Sequence, residues 1–175
     1  AIEDARTAQS RISDLSGGDS RISELRQELD ARFAKLQDAA SALTSVRISS
    51  AEKLSADVTS ELHELAMPTG KFQCNITSEN GGSTSNFGPN GVDEVTMIFT
   101  AHGGELLPIT KAASGGELSR LMLAIEVVAA SVHPKETYIF DEIDAGVGGK
   151  AALEVGRRLR ALSKHSQVIV VTHLP

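Results

Sequence analysis

The sequence has no tryptophan, one cysteine and six aromatic residues in 175. A lone Cys74 excludes an internal disulfide framework and a cysteine zinc cluster. It reads as a small, half-buried hydrophobe on a strand. No apolar run reaches the roughly 18 to 20 residues that a membrane span needs. The first residues carry no basic, apolar and small-residue signal pattern, so nothing points to secretion. Excess positive charge is also missing. Residues 1–66 carry 8 basic and 12 acidic side chains, and residues 67–175 carry 9 and 11, within a net charge of −6. Neither part is basic, so a nucleic-acid footprint cannot be read from charge alone. The chain starts without methionine and stops at Leu174-Pro175 directly after an apolar run, so a piece of a longer protein is expected.

Proline is absent before Pro68, and the only glycines before residue 66 are Gly17 and Gly18. Two regions follow: a helical stretch over 1–66, and a Gly/Pro-punctuated globular stretch over 67–175. From Ile22 the apolar positions run Leu25, Leu29, Phe33, Leu36, Ala40, Leu43, and later Leu54, Val58, Leu62, Leu65. Steps of three and four make a heptad-like stripe. A helix over 20–66 would be roughly 70 Å long at about 1.5 Å per residue. One narrow stripe on such a helix cannot bury itself, so a partner helix is needed. Residues 16–20, Ser-Gly-Gly-Asp-Ser, predict a break between a short helix over 2–15 and the long one, with Asp19 or Ser20 as N-cap. The break could be a hairpin tip, a coiled-coil interruption or a linker; a natural interruption is favoured. The arm itself reads equally as a passive spacer or as a DNA- or partner-binding element. Met67-Pro68-Thr69-Gly70 ends it.

In the second region, residues 72–77 and 95–100 alternate and predict strands. The glycine-rich segment between them, Glu79 to Gly91, lacks a Gly-Lys-Ser/Thr ending and reads as a hairpin loop. Gly148-Gly149-Lys150 is no phosphate-binding loop either. That motif needs glycine at 144 and Ser/Thr at 151, where the chain has Asp144 and Ala151.

Ala113-Ser114-Gly115-Gly116-Glu117-Leu118-Ser119-Arg120 precedes a helical apolar run from Leu121 to Ala130. Two glycines let a backbone approach a ligand, and amides at a helix N-terminus favour an anion. A plain serine N-cap with flexible glycines fits as well. Thr137 to Phe140 is a short apolar strand, expected to be buried on both faces in a parallel sheet, that ends in Asp141-Glu142. Ligands bind at such strand ends. Asp141 is suited to hold Mg²⁺ and Glu142 to deprotonate a water. Asp144-Ala145-Gly146 makes a tight turn, a helix is expected over 149–163, and residues 167–172 form another buried strand before His173. A histidine there can touch a γ-phosphate; alone, a capping or surface role would be preferred. His63, His102, His133 and His165 show no ligand spacing and read as structural.

The order is informative: a Ser-Gly-Gly-Glu loop, an Asp-Glu strand end 25 residues after Gly116, then Thr172-His173 about 30 residues on. It resembles the C-terminal half of an ABC-type ATPase, with signature motif, Walker B, D-loop and H-loop. Residues 113–124, 139–149 and 171–175, with Leu65-Ala66-Met67-Pro68, are similar to the RecN family of bacterial DNA double-strand-break repair proteins, which are related to the structural-maintenance-of-chromosomes (SMC) family. The resemblance is specific over about 62–175 and only general over the coiled coil.

It implies an α/β fold, the C-terminal lobe of an ABC-type ATPase head preceded by a long coiled-coil helix. Residues 1–66 would be the returning arm and 67–175 a lobe truncated at its C-terminus. It implies that Ser114, Gly115, Gly116 and Glu117 meet ATP held by a second protomer, that Asp141 serves Mg²⁺, and that Glu142 and His173 are catalytic. Asp144, Ala145 and Gly146 would form the D-loop at the dimer seam. The partners implied are the N-terminal head lobe and outgoing helix of the same protein, a second protomer and double-stranded DNA ends, with no membrane, in the bacterial cytoplasm near the nucleoid. Ala113 and Glu117 depart from the general signature, which has Leu and Gln. The phosphate-binding loop is missing, so this chain alone is expected to be inactive. Two rivals remain: another SMC-like chromosome-organising ATPase, and a coiled-coil interaction module with a non-catalytic head.

Overall fold

The computed structural model describes residues 2–78, 87–112, 114–130, 132 and 135–172. Ala113, His133, His173 and most of the 79–91 loop, all singled out above, lie outside the described residues. In chain order the elements are α1 (Ile2–Glu64), β1 (Lys71–Ser78), β2 (Asp93–Thr100), β3 (Leu107–Pro108), α2 (Ile109–Ala112), α3 (Gly115–Ala129), β4 (Thr137–Asp141), α4 (Lys150–Leu162) and β5 (Gln167–Val171). Two compact units emerge: 1–44 with 80–92, and 45–79 with 93–175. The last turns of α1 belong to the core of the second unit.

In the first unit α1 runs without interruption through residues 16–20, where a break was expected. Glycine inside a helix costs about 1 kcal/mol relative to alanine but does not forbid the helical backbone. The stripe residues Ile22, Leu25, Leu29, Leu36 and Leu43 are 38–60% exposed. Phe33 packs edge-on against Phe87, ring centroids 5.8 Å apart.

In the second unit α1 closes with a left-handed Ala66 (φ 64°) and a bond from the Met67 amide to the Leu62 carbonyl at 3.1 Å. That is a Schellman-type stop, followed at once by Pro68. Val58, Leu62 and Leu65 are fully buried and join Met67, Phe72 and Phe99 in one core with α3, β4 and α4. β1 and β2 pair antiparallel from Lys71↔Thr100 to Ser78↔Asp93. The short β3, not anticipated from sequence, pairs with the other edge of β2. The outer edge of β1 is capped by helix hydroxyls. Cys74 N donates to Ser55 Oγ at 2.9 Å, and Phe72 N to Thr59 Oγ1 at 3.1 Å. These bonds satisfy amides that an edge strand otherwise leaves open.

β4 and β5 pair in parallel, Thr137↔Gln167 to Asp141↔Val171. Tyr138 and Phe140 face the core, but Ile139 is 71% exposed. The strand is therefore buried on one face, not two, since the core gathers on the Tyr138 side alone.

Candidate functional site

The site grows from the two ends that the core brings together, the N-terminus of α3 and the C-terminal end of β4. Ser114 is the N-cap, in extended conformation, and Glu117 reaches back so that Ser114 N donates to its Oε2 at 3.0 Å. This half of a capping box satisfies an orphan amide of the first turn. The Ser114 amide is the chief cause that holds the Glu117 carboxyl below its ordinary pKa, and His102 adds to it.

Gly116 is required by contact within the chain. A Cβ there would sit 2.7 Å from Ala145 Cβ and 3.2 Å from the Glu142 carbonyl. A Cβ at Gly115 would meet the Glu142 carboxylate at 2.8 Å. Ser119 Oγ donates to the Asp141 carbonyl at 2.5 Å, and the buried Arg120 Nη1 donates to the Ala145 carbonyl at 2.8 Å. Helix α3 is thus clamped along the turn that leaves β4.

That turn is tightly wound. Glu142 takes φ 53°, left-handed for a non-glycine residue. Such a backbone costs on the order of 1 kcal/mol or more and persists where its surroundings impose it. Ala145 N donates to the Glu142 carbonyl and Val147 N to the Asp144 carbonyl, both at 3.0 Å. Gly146 needs its φ of 71° rather than space, since a Cβ there would touch nothing. Asp144 is buried, and its Oδ2 accepts from Thr172 Oγ1 at 2.6 Å, which ties the turn to the end of β5.

Asp141 and Glu142 stay exposed at the strand end. They are hard oxygen donors, and no group of three or more His, Cys, Asp or Glu gathers among the described residues. Such a sparse set fits a cation like Mg²⁺, which takes one or two carboxylates and completes its shell with phosphate and water.

The structure therefore brings together Ser114, Gly115, Gly116, Glu117, Asp141, Glu142, Asp144, Ala145 and Gly146, drawn from 33 residues of sequence. Four contributors carried no assigned role in the sequence: His102, which reads as structural, and Ser119, Arg120 and Thr172, which lie inside the motif stretches. Ser119 and Arg120 lay within the quoted 113–124 stretch, yet no spacing rule marks them. His102 sits 15 residues before Glu117, and only tertiary contact relates the two.

No family model matches the chain. Over 156 residues it is 52% identical to the DNA repair protein RecN of Streptomyces coelicolor, covering 85% of this chain and 27% of that protein. RecN of Mycobacterium leprae is 40% identical over 187 residues, covering 98% of this chain and 32% of that protein. The chain thus spans about three-tenths of the length of the curated relatives it matches. Among solved structures, an Smc head domain with an extended coiled coil, bound to the C-terminal domain of ScpA and derived from Pyrococcus furiosus, superposes with a TM-score of 0.51. It is 26% identical and covers 74% of this chain and 30% of that one. With sequence identity of 40–52% carried across most of its residues on a head-like fold, the chain belongs to the RecN family of DNA repair proteins.

Proposed function

We infer that this chain is the returning arm and C-terminal head lobe of an SMC-like ATPase that acts in DNA double-strand-break repair and recombination. The observation that carries the reading is the clamp of α3 onto the β4 turn. Gly116 lies against Ala145 and Glu142, so the Ser-Gly-Gly-Glu helix start and the Asp-Glu pair form one surface.

On this reading Ser114, Gly115, Gly116 and Glu117 face a nucleotide held by a second protomer. The α3 N-terminus supplies amides and a positive dipole end for a phosphate. Asp141 would hold Mg²⁺, which would offset the charge of the phosphate oxygens. Glu142, exposed and fixed by its left-handed backbone, accepts a proton from the attacking water. Asp144, Ala145 and Gly146 stiffen the seam. His173 is assigned to the γ-phosphate from its place after β5. The chain offers no phosphate-binding loop, so the cradle for ATP comes from the N-terminal lobe of the same protein. The exposed stripe of α1 pairs with the outgoing helix of that protein. DNA ends are the substrate of the assembly and the bacterial cytoplasm, at the nucleoid, its location. No helix among the described residues is long and apolar enough to cross a membrane.

The test is Glu142→Gln in the full-length protein. Loss of a general base lowers ATP turnover by roughly 10²- to 10⁴-fold; unchanged turnover removes Glu142 from that role.

A further inference from the structure

The connection between β2 and β3 carries a side chain that the reading above leaves unused. Thr100 and Ala101 are buried, and Gly103 and Gly104 take φ of 78° and 96°. Thr100 Oγ1 donates to the Gly103 carbonyl at 3.0 Å. Two anchored residues on one side and two left-handed glycines on the other make a defined turn, and His102 stands at its apex. His102 Nε2 lies 2.9 Å from Glu117 Oε1. An ionised carboxylate only accepts, so Nε2 carries the proton in this bond.

The Glu117 carboxylate is therefore held at both oxygens, Oε1 by His102 and Oε2 by the Ser114 amide. Its setting poses a conflict. Glu117 places a full negative charge in the first turn of α3, where that helix start would receive an anionic phosphate. A carboxylate free to swing would repel the anion and compete for the same amides. Held at both ends, it keeps to the Ser114 amide, and the imidazole N–H offsets part of its charge. The side chain of Glu117 is only 17% exposed while that of His102 is 80% exposed, so the carboxylate is the enclosed member of the pair.

We propose that His102 is a positioning residue: through Glu117 it presets the 114–117 helix start for a phosphate, and so couples the antiparallel β1–β3 sheet to that loop. The inference rests on the nucleotide reading of the loop. His102 touches no reacting atom; it acts by fixing the carboxylate and, through it, the Ser114 amide.

The experiment uses the full-length protein with His102→Ala, His102→Gln and Glu142→Gln in parallel. Without nucleotide, hydrogen exchange of the Ser114 and Glu117 amides should rise by up to about fivefold in His102→Ala, the scale expected when one exposed pair is lost. Exchange in β4 should not change. In ATP titrations kcat should fall by a similar factor while KM stays within about twofold, because the loop meets nucleotide that another protomer holds. His102→Gln keeps an N–H donor and should regain at least half of both effects. Parent-like exchange in His102→Ala, or His102→Gln no better than alanine, overturns the inference. Should Glu142→Gln leave turnover intact, Glu142 loses the general-base role; should the parent turn over no ATP, the nucleotide reading fails; in either case the exchange measurement still decides the role of His102.

Discussion

Leu25, Leu29, Leu36 and Leu43 recur along α1 at a spacing close to three and a half, and Leu54, Val58, Leu62 and Leu65 recur at the same spacing farther on. The first set is 38–60% exposed, whereas Val58, Leu62 and Leu65 have no exposed surface at all. One helix thus carries one pattern and two outcomes. The later stretch finds Met67, Phe72, Phe99 and the apolar faces of α3 and α4 in its own unit. In the earlier stretch Phe33 packs against Phe87 and Ala40 is buried, while the leucines stay open. Periodicity declares a face to be buried. What buries it is a separate fact, decided by the rest of the chain or by another helix.

The sharpest way to break this contrast is catalytic. If the head unit alone carries the chemistry, Glu142→Gln lowers turnover of the full-length protein by roughly 10²- to 10⁴-fold. Leu29→Ala in the same assay should leave turnover per folded molecule within about twofold, as for a residue remote from the reacting groups. An arm substitution as damaging as Glu142→Gln would dissolve the distinction.

Stability should divide in the same place. In urea unfolding of this chain, Leu62→Ala should cost about 2–5 kcal/mol, the usual range for a truncated core leucine. Leu29→Ala should fall within about 0.5 kcal/mol of the parent, as for an exposed site. In the longer protein the cost of Leu29→Ala should grow, because a partner helix would then cover it. Equal costs at Leu62 and Leu29 in this chain would contradict the burial described here.

Glycine gives a finer test. A Cβ at Gly18 would touch nothing, so Gly18→Ala should raise helicity at 222 nm and stabilise the helix by about 0.5–1 kcal/mol. A Cβ at Gly116 would lie 2.7 Å from Ala145 Cβ, so Gly116→Ala must push α3 off the β4 turn and destabilise. Opposite signs are expected; a loss at Gly18 would mean that the helix is interrupted there in solution. The smallest effect is acid sensitivity. Glu117 is held below its ordinary pKa in the folded chain. Its stabilising share is therefore present above about pH 4.3, the unfolded value, and disappears as pH falls through the lower folded one. The stability gap between parent and Glu117→Gln should narrow on acidification, and a gap that widens would reverse the assignment.

Much of the second unit was legible. The strands over 72–77, 95–100 and 167–172 and the helix over 149–163 lie within a residue or two of β1, β2, β5 and α4, because alternation and glycine punctuation are local signals. β3 was not legible, since two residues carry no period. Gly17-Gly18 misled for the opposite reason: the local propensity is poor, yet the helix passes through. Gly115 and Gly116 pointed outward, toward a ligand, when read alone. The contact that fixes Gly116 is internal, the turn after β4.

By itself the sequence determined which side chains are on offer for chemistry and in what order they come. Serine, paired glycines, paired acids and their spacing are covalent facts, and the apolar periods that build α3, β4 and α4 are short-range. Tertiary structure alone decided what those residues touch. The burial of Val58 but not Leu29, the exposed face of β4, the strained Glu142, the Arg120 bond to Ala145 and the His102 hold on Glu117 all depend on packing between segments far apart in the chain. A linear pattern records which side of an element is apolar, and only the folded chain supplies the neighbour.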